Sequence, residues 1–229
     1  MIIDAYRWQP VTIRQVAHVS SRTVAVTIDK PTNYRYTAGQ YTIVRRRMPG
    51  SAALVRQYSF SSPPDQTTLE LTIQKEPYGQ LSGWFHDFAQ TSDQLEISQP
   101  FGAFTWYPSE SRPLLLVAGG SGIAPCMSII RHHAGAGATT PLTLHYSVRQ
   151  ADHLCFYDEL QSLATPRQAF TTTTDTAPRL SAETLSDHLT PDTVAYICGS
   201  KRFIGAMHGA IVGLGLPPSQ IKHEAFTLS

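Results

Sequence analysis

Three short stretches carry residues whose types and spacing suit the binding of phosphorylated molecules. Gly119-Gly-Ser-Gly-Ile-Ala-Pro125 follows an apolar run and opens a segment with helical spacing. Glycines let a backbone turn sharply and approach a diphosphate with no side chain between. The free N–H groups and positive dipole end of the helix then face the anion. Pro125 suits the first helical turn, where its missing donor costs nothing. The third glycine of the usual dinucleotide fingerprint is a proline here, and an ordinary strand-to-helix turn has much the same composition. Gly79-Gln80-Leu81-Ser82 leads into another helix and offers backbone donors plus the Ser82 hydroxyl. Arg56-Gln-Tyr-Ser-Phe-Ser-Ser62 reads as a strand, with Arg56, Tyr58 and Phe60 on one face and Gln57, Ser59 and Ser61 on the other. Taken alone, it equally describes a surface strand with one tyrosine packed inwards.

Other chemistries are poorly served. Cys126, Cys155 and Cys198 are far apart and odd in number, which gives neither a disulfide framework nor a zinc or iron–sulfur spacing. His132 and His133 are adjacent and would point apart on a helix, so no metal is expected. The formal net charge of +1 argues against nucleic-acid binding. No signal peptide and no apolar run of about 20 residues is found, so a cytoplasmic chain that does not enter a membrane is expected.

Two kinds of element must position these stretches. From residue 11 to about 107 the chain reads as short strands: Val11–Val19, Thr23–Asp29, Gln40–Arg47, Arg56–Ser61, Leu69–Lys75, Gln94–Ser98 and Ala103–Trp106. Leu69, Leu71 and Ile73 alternate with Glu70, Thr72 and Gln74, the period of a half-buried antiparallel strand. One helix, Ser82–Phe88, interrupts a set that suffices for a small closed barrel. The polar, proline-bearing stretch 107–113 is the expected boundary, with domains of 1–108 and 112–229. Beyond it strands Leu114–Ala118, Leu142–Ser147, Ala169–Thr174, Val194–Cys198 and Ile221–Phe226 alternate with helices at Pro125–His133, Phe156–Leu163, Ser181–Leu189 and Arg202–Leu214. That alternation predicts a doubly wound parallel α/β sheet, and a glycine loop after its first strand favours the nucleotide reading over an ordinary turn.

Together these pieces resemble the ferredoxin–NADP reductase type of FAD oxidoreductases along nearly the whole chain. Ala38-Gly39-Gln40-Tyr41, Arg56-x-Tyr58-Ser59, Gly79-x-x-Ser82, Pro100-x-Gly102-x-Phe104, Gly120-x-Gly122-x-x-Pro125, Cys198-Gly199 and Glu224-x-Phe226 follow one another in that family's order. The resemblance implies that Tyr58 stacks on the isoalloxazine, Ser59 bonds flavin N5 and Arg56 pairs with the FAD diphosphate. It places Ile73 (through its backbone) and Lys75 against the rest of the cofactor. It puts Gly119, Gly120, Gly122, Pro125 and Gly199 at the nucleotide, and Cys198 beside the nicotinamide. It makes Glu224 and Phe226 the carboxyl-end wall of the flavin pocket. From the residues alone, Cys198 is as well read as a small apolar filler, and Glu224 and Phe226 as the finish of a last strand. Arg149 faces the adenosine side or is an exposed loop arginine.

The implied activity is transfer of a hydride from NADH or NADPH to FAD, then of single electrons to a ferredoxin, flavodoxin or oxygenase component. No Cys-x-x-x-x-Cys-x-x-Cys run of a fused two-iron domain is found, so the acceptor is a separate protein or lies elsewhere in a longer polypeptide. The alternatives are a reductase of free flavin, disfavoured by Tyr58, Lys75 and the Gly79–Ser82 turn, and a non-catalytic flavin-binding subunit. A monomer is expected. Arg45-Arg46-Arg47 either docks an acidic carrier or is a solvated strand end. Asp175 either accepts from an adenosine ribose hydroxyl, favouring NADH over NADPH, or forms a turn ahead of Pro178, with Arg179 near enough to offset its charge.

Overall fold

The computed structural model describes residues 6–174 and 180–225. Alternating residues build the first half into strands β1 (Gln9–Ser20), β2 (Thr23–Asp29), β3 (Tyr41–Arg46), β4 (Leu54–Ser59), β5 (Thr68–Gln74) and β6 (Gln94–Ile97). They pair antiparallel in the order β4-β3-β6-β1-β2-β5. Closure comes where β4 runs out: Phe60 bridges Leu71, and the Ser61 N–H donates to the Glu70 carbonyl at 2.8 Å. Leu69, Leu71 and Ile73 point inward and are wholly buried. Helix α1 (Gln80–Asp87) plugs the barrel with Leu81 and Phe85.

The second half is a parallel sheet of β7 (Leu114–Gly119), β8 (Leu142–Ser147), β9 (Gln168–Thr173), β10 (Val194–Gly199) and β11 (Ile221–Ala225), ordered β11-β10-β7-β8-β9. Helices α2 (Ile123–Gly135), α3 (Tyr157–Leu163), α4 (Ala182–Ser186) and α5 (Lys201–Gly213) connect the strands. Apolar side chains on both sheet faces, such as Leu114 and Leu116 on one and Leu115 and Val117 on the other, belong to separate buried clusters. This is the doubly wound architecture expected. Strand order reverses between β7 and β10, which opens a crevice at their carboxyl ends. Among the described residues no helix is long and apolar enough to cross a membrane.

One expected strand does not form. Segment 103–106 leaves the barrel, and Phe104 and Trp106 enter the core of the α/β half. The Phe104 ring meets Tyr196 edge-on at 5.2 Å, and the Tyr196 hydroxyl donates to the Thr105 carbonyl at 3.0 Å. Two large aromatics are better buried there than at a barrel edge. Gly39 makes the crossing possible: at φ +97° it leaves the Phe104 carbonyl where a Cβ would lie, 1.9 Å away.

Candidate functional site

A cleft of about 690 Å³ separates the barrel from the crevice of the parallel sheet, within the roughly 300–1,000 Å³ of cofactor sites. Arg56, Tyr58, Ser59, Thr72, Gly79, Leu81 and Ser82 line it from the barrel, and Ser121 and Ala124 from the β7–α2 connection. A second hollow of about 110 Å³ shares Gln57, Tyr58 and Ser59 with it and ends on Tyr41, Glu224 and Ala225. The two hollows therefore meet on the last three residues of β4.

Each end of the cleft has a turn built for close approach. In the barrel, Gly79 precedes α1, and a Cβ there would sit 2.3 Å from Ser82 Oγ. The Ser82 hydroxyl is committed to this turn, accepting from the Glu76 N–H at 3.1 Å and donating to the Gly79 carbonyl at 3.3 Å. No side chain caps α1, so its first-turn N–H groups face the cleft without a side-chain acceptor. Opposite, Gly120 takes φ +56° in a tight turn ahead of α2, which begins at Ile123, earlier than the spacing indicates. Gly122 serves packing: a Cβ there would lie 2.2 Å from the Cys198 carbonyl oxygen, so only glycine lets the loop rest on the end of β10.

Two buried polar atoms on these hollows have no hydrogen-bond partner. Ser59 is 1% exposed, and its Oγ is unpaired. Glu224 Oε2 is unpaired too, and burial pushes the carboxyl up to about 7. Burying unbonded polar groups costs free energy, and these two stand where a bound group in the hollows would complete them. Cys198 stands beside Glu224 in register and is fully buried, and burial drives its thiol well above the usual range. It is therefore a neutral thiol, and it lines neither hollow. Tyr58 lies under the cleft with its ring edge-on to Phe85 at 5.7 Å.

Some expected residues stand elsewhere. Ile73 is in the barrel core, and its backbone pairs with Val24. Lys75 Nζ is held by both oxygens of Asp87 at 2.8 and 2.7 Å, outside the cleft lining. Gln80 and Arg149 are exposed and line neither hollow, and Pro125 is buried behind the loop. Asp175, Arg179 and Phe226 lie outside the described residues. The three arginines do not form one patch of free cations. Arg45 is buried, bidentate to Glu96 at 2.7 Å through two nitrogens and stacked 4.0 Å from the Trp8 ring. Arg47 bonds the same carboxylate at 2.8 Å, while Arg46 turns to the other face over Trp84. Strand alternation splits the run, and one glutamate engages two of its arginines.

Sequence reasoning missed Tyr6, Thr72, Gln74 and Tyr78 in the lining. Tyr78 is fully exposed at the cleft edge in a left-handed conformation, φ +63°. The signal was an aromatic in the turn Pro77-Tyr78-Gly79, where burial gives no reason for one.

Residues 10–106 match the oxidoreductase FAD-binding domain and residues 116–209 the oxidoreductase NAD-binding domain. The chain belongs to the ferredoxin–NADP reductase type of FAD-binding oxidoreductases. Within this family it is 28% identical to the ferredoxin–NAD(P)(+) reductase component of the naphthalene 1,2-dioxygenase system of Pseudomonas putida, over 90% of this chain and 64% of that one. It is 29% identical to the toluate 1,2-dioxygenase electron transfer component of Pseudomonas putida, over 95% and 67%. With the Bacillus subtilis flavohemoprotein it shares 28% identity over 83% of this chain and 51% of that one. The chain thus spans between half and two thirds of the length of these relatives. A ferredoxin NADP+ reductase from Neisseria gonorrhoeae, solved with bound FAD and NADP, shares the fold with a TM-score of 0.83, at 24% identity and with 96% and 98% of the two chains covered.

Proposed function

We propose that this chain passes a hydride from NADH or NADPH to bound FAD and then releases single electrons to a separate acceptor. The observation that carries this reading is the pair of unpartnered buried groups, Ser59 Oγ and Glu224 Oε2, facing hollows that run from the barrel to the sheet crevice. FAD supplies the hydride acceptance and the two-to-one-electron conversion. The chain's residues bind and orient. Tyr58 offers an aromatic wall and Ser59 a hydroxyl for the polar edge of the flavin ring. Arg56 and the first turn of α1 take the diphosphate. Tyr78 is placed to stack on an exposed ring at the cleft mouth. The turn at Gly120 and the start of α2 receive the nucleotide diphosphate. Glu224, protonated below about pH 7, holds a proton at the far wall. Cys198, a buried neutral thiol, stands behind that wall beside Glu224 in register.

The acceptor is a one-electron carrier: the names of the relatives suggest a ferredoxin or an oxygenase component, and a flavodoxin fits the same chemistry. NADH is the preferred donor on the strength of Asp175. The deciding test is the absorbance spectrum of the purified protein. A yellow protein with near-stoichiometric FAD, bleached anaerobically by NADH, supports the reading. A colourless protein that reduces added riboflavin sinks it, as does a yellow one that neither nucleotide bleaches. A comparison of kcat/KM for NADH and NADPH in wild type and Asp175→Ser tests the preference, which fails if wild type uses NADPH efficiently.

A further inference from the structure

One charged side chain joins the two halves of the molecule, and nothing in the binding scheme above uses it. Arg131, in the third turn of α2, is 17% exposed. Its Nη1 donates to Glu70 Oε1 on β5 at 2.6 Å and to the Ser61 carbonyl at 2.9 Å. Nε and Nη2 form a fork on the two oxygens of Glu159 in α3, at 2.6 and 2.7 Å. The guanidinium also stands 4.9 Å from the Phe156 ring centre, and Phe156 takes φ +60° at the start of α3. A planar fork so held on four sides has one orientation.

Both ends of this contact lead to the cleft. On the barrel side Ser61 lies two residues after Ser59. The Thr72 hydroxyl, which lines the cleft, donates to Ser61 Oγ at 2.8 Å, and Ser61 Oγ donates to Glu70 Oε1 at 2.7 Å. On the other side α2 is one rigid helix, and Arg131 stands about 12 Å along it from Ile123, at the nucleotide loop. Nearby, Ser128 Oγ donates to the Ser62 carbonyl at 2.7 Å, so the same helix face grips the barrel twice. Burial alone would disfavour the Arg131 charge, but Glu159 and Glu70 together more than offset it. A buried ion cluster of this kind adds little net stability over apolar packing, so what it supplies is geometry.

We propose that Arg131 is a positioning residue for hydride transfer: by clasping Glu70 and the Ser61 carbonyl from α2, it sets where the nucleotide loop stands relative to Ser59. This rests on the reading of the cleft as a joint FAD and nicotinamide site. The experiment compares wild type, Arg131→Met, Glu70→Gln and the double variant as flavin-loaded proteins. Three quantities are read: the flavin-bleaching rate constant at saturating NADH, the Kd for NAD+, and the flavin absorbance change that NAD+ binding produces. Arg131→Met is expected to bleach about tenfold or more slowly, because misplacing reacting groups by an ångström is expensive. It should retain flavin and bind NAD+ within about threefold of wild type, with a reduced NAD+-induced absorbance change, since the diphosphate site itself is intact. Glu70→Gln should fall between the two, and the double variant should be no slower than Arg131→Met, because both break one contact. Wild-type bleaching in Arg131→Met overturns the proposal, as does slowing accounted for by lost nucleotide affinity, or a double variant that multiplies the single effects. If Arg131→Met loses flavin, Glu70→Gln decides the matter by the same readings. Wild type that neither NADH nor NADPH bleaches removes the cleft reading, and the proposal with it.

Discussion

Glu224 ties the geometry of the cleft to a measurable free energy. Its carboxyl is displaced from an ordinary value of 4.5 to about 7 by burial, with one oxygen unbonded. Replacing it by glutamine keeps the shape and removes the ionisation. Between pH 4.5 and 7 the folded protein holds a proton that the unfolded chain has released, so this contribution to stability is fully present below about pH 4.5. It is lost as the pH rises through about 7. At roughly 1.4 kcal/mol per unit, wild type should lose about 3 kcal/mol relative to Glu224→Gln between pH 4 and pH 8. Urea unfolding of both proteins across that range measures the difference, and a shift of this size moves the midpoint by about 1 M or more. Only the change with pH is read, so a constant offset from the substitution cancels. Parallel profiles would show that the carboxyl is solvated and ionised at neutral pH, and the argument for a proton held at this wall would fall.

Four further outcomes follow from the same structure. Gly122→Ala should weaken nucleotide binding and cost about 1–3 kcal/mol of stability, because its Cβ would meet the Cys198 carbonyl at 2.2 Å; NAD+ titration and denaturation measure the two effects. Ser59→Ala should slow flavin bleaching about tenfold while FAD stays bound, checked by stopped-flow absorbance. Arg45→Gln should cost about 1–3 kcal/mol by removing a charge-assisted pair from Glu96, which keeps Arg47, yet leave the salt dependence of acceptor reduction unchanged. Burial, with help from His188, lowers His145 from 6.5 to about 4. The contribution of this group to stability should therefore be complete above pH 6.5 and be lost, about 3 kcal/mol in all, as the pH drops through 4, and His145→Leu should flatten that limb of the unfolding profile.

The sequence by itself determined the order of elements and the two folds, because periodicity is a local property. Leu69, Leu71 and Ile73 alternate whether or not their partners are known, and the apolar run 114–118 suits only a strand covered on both faces. The glycine turns were legible for the same reason: Gly79 and Gly120 stand where each helix starts. The cleft was legible only through the ordered motifs, which put Arg56, Tyr58, Ser59 and Ser82 on its wall. What the tertiary structure alone decided depends on pairing between distant segments. Arg45-Arg46-Arg47 reads as one cluster until Glu96, 51 residues beyond Arg45, claims two of its members. Phe104 and Trp106 have strand composition, but the larger buried volume lies in the other domain. Lys75 looked free for a cofactor until α1 folded back and set Asp87 against it. Gly122 owes its place to the carbonyl of Cys198, and Arg131 to two carboxylates on different elements, contacts with no trace in local composition. A side chain's neighbours across a fold are set by long-range packing, and it is packing that leaves Ser59 and Glu224 buried and unpaired on one hollow.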